Sequence, residues 1–236
     1  MFAKDGLKII NGSLLIFLIF LVSWLYFQNL GSIILLILSS IFFLFNLYFF
    51  RDPERSIPNN SQAVLAPADG RVLQIVQEFE PLYFQENVNR ISVFLSVFNV
   101  HVNRVPISGI VNYVSYNPGK FFAAYKEKAS LENEQSVIGI ISNSGEMVMF
   151  KQIAGLIARR VVCNLKEGQQ VKAGDRMGMI RYGSRVDIFL PLSAKLIVKV
   201  GQTIFGGKSV VAIFEEGPSE KDFEEELDEL PVSENL

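Results

Sequence analysis

The chain has 236 residues and a formal net charge of −2, with a single cysteine and a single histidine. That length leaves room for one domain plus an appendage, and Cys163 with His101 alone excludes an internal disulfide or a zinc site of the usual Cys/His kind. The charge is also divided: residues 215–236 hold ten of the 24 acidic residues and only Lys221 among the basic ones, leaving a body with 21 basic against 14 acidic residues. Such a basic body suits an anionic lipid surface, although the same charge would serve solubility alone.

Residues 9–50 contain no Asp, Glu, Lys, Arg or His. Two apolar runs, 9–27 and 33–50, are separated by Gln28, Asn29, Leu30, Gly31 and Ser32. Each approaches the ~20 residues that a helix needs to cross a bilayer core. The break between them predicts a tight transmembrane helical hairpin, with Trp24, Tyr26 and Tyr48 near the run ends where amphipathic rings favour the interface. Lys4, Lys8, Arg51 and Arg55 flank the hairpin and its loop is uncharged, which puts both ends and the body on the cytoplasmic side of the cell membrane. A cleaved signal peptide competes poorly, because the apolar stretch far exceeds a signal core. A re-entrant hairpin within one leaflet is the other alternative for runs this short.

Residues 51–61, with Pro53, Pro58, Asn59, Asn60 and Ser61, read as a polar linker. From residue 62 to 214 the pattern is one of short β-branched runs punctuated by Gly and Pro, so the body is mainly β. The nearest helical candidate, residues 123–134, fits a loop nearly as well. Gly168-Gln-Gln-Val-Lys-Ala-Gly174 and Gly201-Gln-Thr-Ile-Phe-Gly-Gly207 share one pattern, each with an Ile twelve residues after its first Gly, at Ile180 and Ile213. The repeat predicts duplicated hairpins whose glycines take positive φ. Together with Ala66-Pro-Ala-Asp-Gly-Arg-Val72 it resembles the barrel-sandwich hybrids of biotinyl and lipoyl carriers, but the lysine tip that a carrier presents is missing. Residues 215–236 read as a solvated acidic tail, with a frayed helix over 219–230.

The chemistry-bearing residues are few. His101 follows an apolar strand, and a lone histidine at a strand end is more often structural than catalytic. Asp69 sits in Pro67-Ala-Asp-Gly70, a favourable turn where Asp bonds its own backbone and Gly accepts positive φ. Gly183-Ser184 reads on its own as a turn between strands.

Taken together, five stretches resemble the short, membrane-bound form of the phosphatidylserine decarboxylase family. They are Phe49-Phe-Arg-Asp-Pro-Glu-Arg-Ser-Ile-Pro58, Ala66-Pro-Ala-Asp-Gly-Arg-Val72, Phe98-Asn-Val-His-Val-Asn-Arg-Val-Pro106, Pro118-Gly-Lys-Phe121 with Lys128-Ala-Ser130, and Tyr182-Gly-Ser-Arg-Val-Asp-Ile-Phe-Leu-Pro191. The resemblance implies a proenzyme whose Ser184 attacks the Gly183 carbonyl. Ester formation and β-elimination then yield chains 1–183 and 184–236, with Ser184 converted to a pyruvoyl cofactor. That group would condense with the serine amine of a membrane phospholipid and act as electron sink for decarboxylation to the ethanolamine lipid.

The resemblance also implies a polar cluster of Ser184, His101 and Asp69. Longer members carry His-x-x-His-x-Pro where this chain has Arg104 in place of the second histidine, and arginine cannot act as a base. His101 then serves both steps, or Asp69 acts on Ser184 directly or through water. Arg104 becomes available to pair with the lipid phosphate, with Lys120, Lys126 and Lys128 near the head group and Phe121 and Phe122 toward lipid. The expected partners are the phospholipid and the two self-cleaved chains for each other; no nucleic acid or metal is expected, and a homodimer is left open. An ether-linked lipid core of archaeal type and a non-catalytic membrane-anchored adaptor are the alternative readings.

Overall fold

The computed structural model describes residues 1–119, 133–155, 160–182 and 184–215. Two apolar helices come first, α1 (Leu7–Phe27) and α2 (Leu30–Phe49). Their connection is shorter than the sequence break, because Gln28 ends α1 in the left-handed conformation (φ 49°) and Asn29 caps α2 at once. The Asn29 side chain accepts from Ser32 N at 2.9 Å, while Ser32 Oγ lies 3.3 Å from Asn29 N. This reciprocal cap draws Leu30, Gly31 and Ser32 into the first turn of the helix. Both helices are long and apolar enough to cross a membrane, and most of their side chains face outward.

The body is β throughout its described residues. In chain order the strands are β1 (Ala63–Leu65), β2 (Gly70–Glu80), β3 (Glu86–Leu95), β4 (Val102–Arg104), β5 (Gly109–Asn117), β6 (Gln135–Ser142) and β7 (Met147–Ala154). There follow β8 (Val161–Cys163), β9 (Gln170–Val171), β10 (Arg176–Ile180), β11 (Ser184–Pro191), β12 (Lys195–Leu196), β13 (Thr203–Ile204) and β14 (Val210–Ile213). One sheet of eight strands runs β13-β2-β3-β11-β7-β6-β5-β9, and two sheets of three run β1-β14-β12 and β4-β10-β8.

This order is palindromic by strand type about the β11–β7 pair. Short β13 pairs with the first two residues of β2, and short β9 with the first two of β5. The two glycine-bounded repeats supply these edges, and all four bounding glycines have positive φ: 79° and 86° at Gly168 and Gly174, 86° and 72° at Gly201 and Gly207. Matching bonds fix them, Gly168 N to Val111 O and Gly201 N to Val72 O, at 2.7 and 2.8 Å. The body is thus two similar units, and the one spanning β4 to β10 is inserted between β3 and β11 of the other.

Inward residues of the long strands build the core, with Ile91, Val93 and Leu95 of β3, Val186, Ile188 and Leu190 of β11, and Val148 and Phe150 of β7 in one cluster. Each such side chain contributes ~1.5–3 kcal/mol by leaving water. The opposite face of β11 is polar yet also buried. Arg185 donates to Asp187 at 2.6 Å and to Ser92 Oγ at 2.7 Å, and Arg90 donates to the same Ser92 Oγ at 2.8 Å.

The segment read as a linker is strapped to the body rather than loose. Asp52 receives Arg176 at 2.6 Å and lies 3.4 Å from Arg104, while Arg104 also donates to Pro53 O at 3.0 Å.

Arg185 is 1% exposed, so Asp187→Ala leaves a buried guanidinium without its counter-charge. The expected loss is about 3–5 kcal/mol of stability, read from the denaturation midpoint of the detergent-solubilised chain. A loss below about 1 kcal/mol, the size of a surface pair, would contradict this account.

Candidate functional site

Ser184 opens β11 between Leu95 of β3 and Ala154 of β7. It is fully buried, and its Oγ has no hydrogen-bond partner. Because Ser184, Val186 and Ile188 alternate on one face of β11, that hydroxyl points toward the interior between the sheets. Gln152 lies on the same interior face, one diagonal step along β7. Its Nε2 donates to Asn103 Oδ1 of β4 at 2.7 Å, bridging the large sheet to a small one, but Gln152 Oε1 and Asn103 Nδ2 are unpaired. A buried polar atom left so costs about 1–3 kcal/mol, and three of them on adjoining strands mark an interior prepared for polar contact.

His101 is fully buried, and its ring lies against Phe49 of α2 with centroids 4.2 Å apart. Its Nδ1 is 3.0 Å from Asn99 O. A carbonyl can only accept, so Nδ1 carries the proton and Nε2 holds the lone pair in the neutral ring. Burial lowers the imidazole pKa from 6.5 to about 4, the Asn99 bond opposes this, and the Arg51 charge adds to it. The ring is therefore neutral at pH 7.

Tyr182 stands two residues before Ser184 and shares the Phe49 ring with His101, at 4.6 Å. Its backbone is left-handed, φ 57°, which is uncommon for a bulky side chain. Gly183, between them, lies outside the described residues, as do Lys120, Phe121, Phe122, Lys126, Lys128, most of 123–134 and the tail beyond residue 215.

Asp69 and Arg104 are each held by charged and backbone partners of their own. The Asp69 carboxylate accepts from Arg55 at 2.8 Å and from Gly206 N at 2.8 Å, rather than from its own turn. Gly70 beside it does not have positive φ; it is glycine because an added Cβ would lie 2.4 Å from Phe94 O. Arg104 is buried and donates to Gly174 O at 2.9 Å as well as to Pro53 O, so its guanidinium is engaged inside the protein. A partly open cleft of about 410 Å³ is lined by residues 1–5, Asp52, Val102 and Arg176, among others, and its lining includes neither Ser184 nor His101.

The phosphatidylserine decarboxylase family model matches residues 42–212, a span from the last turns of α2 to β14 that takes in His101 and Ser184. The chain belongs to the phosphatidylserine decarboxylase family. The phosphatidylserine decarboxylase proenzymes of Rickettsia akari and Rickettsia felis are each 47% identical to it over 171 residues, 71% of this chain and 74% of theirs. That of Wolbachia pipientis is 48% identical over 169 residues, 70% of this chain and 74% of its own.

Some residues of this interior have no counterpart among the sequence candidates. Gln152 and Asn103 carry no motif signal. Asn46, which the Tyr182 hydroxyl reaches at 2.9 Å, does carry one: it is the only amide side chain in an uncharged, mostly apolar helix.

The His101 shift fixes a pH dependence. Above pH 6.5 the ring is neutral in folded and unfolded chains alike; from 6.5 down to about 4 the unfolded chain gains a proton that the native one refuses, so stability falls with pH across that window. Relative to His101→Gln, the wild-type chain is expected to lose about 3 kcal/mol between pH 6.5 and 4, measured by denaturation at stepped pH. Parallel pH profiles for the two proteins are the result that counts against it.

Proposed function

We propose that the chain is a phosphatidylserine decarboxylase proenzyme that cleaves itself between Gly183 and Ser184 and then removes carbon dioxide from the serine head group of a membrane phospholipid. The observation that carries this reading is the buried, unpartnered Ser184 hydroxyl at the head of a central strand. A hydroxyl held there by sheet ladders on both sides is fixed in place, and it loses no hydrogen bond when it attacks.

In the first step Ser184 Oγ adds to the Gly183 carbonyl carbon and the carbon–nitrogen bond breaks. An ester now links the two residues and the Ser184 amine is free. Loss of the Ser184 α-proton expels Gly183 as a carboxylate, leaving a dehydroalanine whose imine tautomer takes up water and releases ammonia. His101 has its lone pair on Nε2 and serves as the proton acceptor. Its low pKa makes it a weak base and its imidazolium a strong acid, so it returns a proton more readily than it takes one. Asp69, with its carboxylate on Arg55 and Gly206, supports the site as a positioning residue.

The orphaned Ser184 atom and its polar neighbours fit a pyruvoyl group at this position, and such a group supplies an electron sink for decarboxylation. Gln152 Oε1 offers an acceptor to the amine of the serine head group, and Asn103 Nδ2 a donor to its carboxylate. The flanking Lys4, Lys8, Arg51 and Arg55 favour a hairpin inserted with the body on the cytoplasmic side. The cleaved chains stay together, because β11, β13 and β14 of the second are paired with β3, β7, β2 and β1 of the first.

Intact mass tests the reading. The purified chain is expected as two species, one ending at Gly183 and one beginning at residue 184 and lighter by one ammonia than a serine-started chain. Ser184→Ala should remain one chain of 26.5 kDa and release no carbon dioxide from phosphatidylserine vesicles. A well-folded wild-type protein that stays intact would refute the proposal.

A further inference from the structure

The residues just before the cleavage junction are held by the apolar hairpin, not by the β body alone. Tyr182 donates to Asn46 Oδ1 at 2.9 Å, and Asn46 is oriented by its own bond to Phe42 O at 2.8 Å. Asn46 is fully buried although it belongs to a helix whose other faces are largely exposed. Around the same ring stand Phe49 at 4.6 Å, Phe50 at 6.0 Å and Phe45 at 6.3 Å. Arg181 donates to Asp5 O at 3.1 Å, so a second residue before the junction is fastened to the N-terminal segment.

These contacts have an energetic reason. A left-handed conformation costs a bulky residue on the order of 1–3 kcal/mol and persists only where the surroundings over-determine it. At Tyr182 the surroundings are the end of α2. Burial also raises the phenol pKa, which keeps the hydroxyl a donor to Asn46. The strained residue stands one position before the carbonyl that Ser184 must reach, and β11 begins immediately after.

We propose that Asn46 and Phe49 are positioning residues for self-cleavage: by holding Tyr182 left-handed, the last turn of α2 sets the backbone geometry from which Ser184 attacks. This rests on the reading that the chain opens between Gly183 and Ser184. It gives the hairpin a second task besides anchoring. A chain whose hairpin has not docked on the body lacks the geometry for cleavage, so activation waits for assembly of the two parts.

The test uses the full-length chain, expressed in membranes and followed by gel and intact mass from synthesis onward. Tyr182→Phe keeps the ring and loses the hydroxyl; Asn46→Leu loses the acceptor. Each is expected to slow cleavage about five- to tenfold, the worth of one buried hydrogen bond. Asn46→Asp keeps an oxygen acceptor and should recover to within about threefold of wild type. The sharper arm is the double variant Asn46→Leu with Tyr182→Gly. Glycine takes positive φ unaided, so the double variant should cleave faster than Asn46→Leu alone, whereas a merely structural role predicts a further loss. Hydroxylamine, which intercepts the ester, should trap less of it in Tyr182→Phe than in wild type. Melting temperatures measured in the Ser184→Ala background separate slow cleavage from poor folding.

Wild type that cleaves while Tyr182→Phe and Asn46→Leu match its rate would overturn the inference. So would variants whose cleavage falls only in step with melting temperature and whose double form is worse still. Wild type that never cleaves overturns the function proposed above instead, and the two failures are told apart by that one lane.

Discussion

The antiparallel ladder of β11 with β3 and β7 is the constraint on which the rest of the site depends. Eight residues of β11 pair on one side and six on the other, so Ser184 is fixed by backbone bonds before any side chain is considered. A one-residue slip would turn Ser184 outward and bring Arg185 into the apolar interior. The buried network of Arg185, Asp187, Ser92 and Arg90 opposes that slip, because its charges are satisfied in one register only. The charged face of the strand thereby secures the position of the neutral Ser184 hydroxyl on the other.

Several charges of the body are tied up in pairs of their own. Asp52 ties Arg104 and Arg176 on the segment that follows the hairpin, and Asp69 ties Arg55 and Gly206. Gln152 and Asn103 are neutral polar groups on the interior side, and the His101 ring is packed against Phe49, so its imidazole is desolvated and its proton weakly held. In such surroundings a dipole placed correctly acts strongly, and a full charge would cost several kcal/mol to bury.

Much of this could be read in the residues themselves. The uncharged block pointed to the two apolar helices, and the paired Gly-Gln-x-[Val/Ile]-x-x-Gly segments foretold the positive φ of their glycines and a duplication, which takes the form of edge strands where hairpins were expected. Motif resemblance singled out His101 and Ser184 as candidates, and the match over residues 42–212 bears out the family so inferred. Other features depend on partners far away in the chain. Tyr182 and Asn46 are 136 residues apart, and Arg104 reaches Pro53 across 51. Local pattern cannot supply such contacts, so Arg104 read as a free phosphate ligand and residues 51–61 as a tether. The inserted unit was hidden for the same reason, since strand order is set by pairing between distant segments.

If the chain opens between Gly183 and Ser184 as proposed, the insertion explains how the two pieces would hold together. In the inserted unit, β6 and β7 are joined by a short turn over residues 143–146, with Gly145 at φ 96°. Their counterparts, β3 and β11, are paired in the same way, yet residues 96–183 stand where that turn would be. A break at the head of β11 therefore severs the closing end of an insertion and crosses no ladder. The rest of β11 stays paired with β3 and β7, and the proposed reaction acts between Tyr182, held by the hairpin, and residue 184, which is held by the sheet and gives up its nitrogen and its hydroxyl oxygen. A junction fixed at both ends by separate structures is a place where strain can be stored before the bond opens and released afterwards without loss of fold.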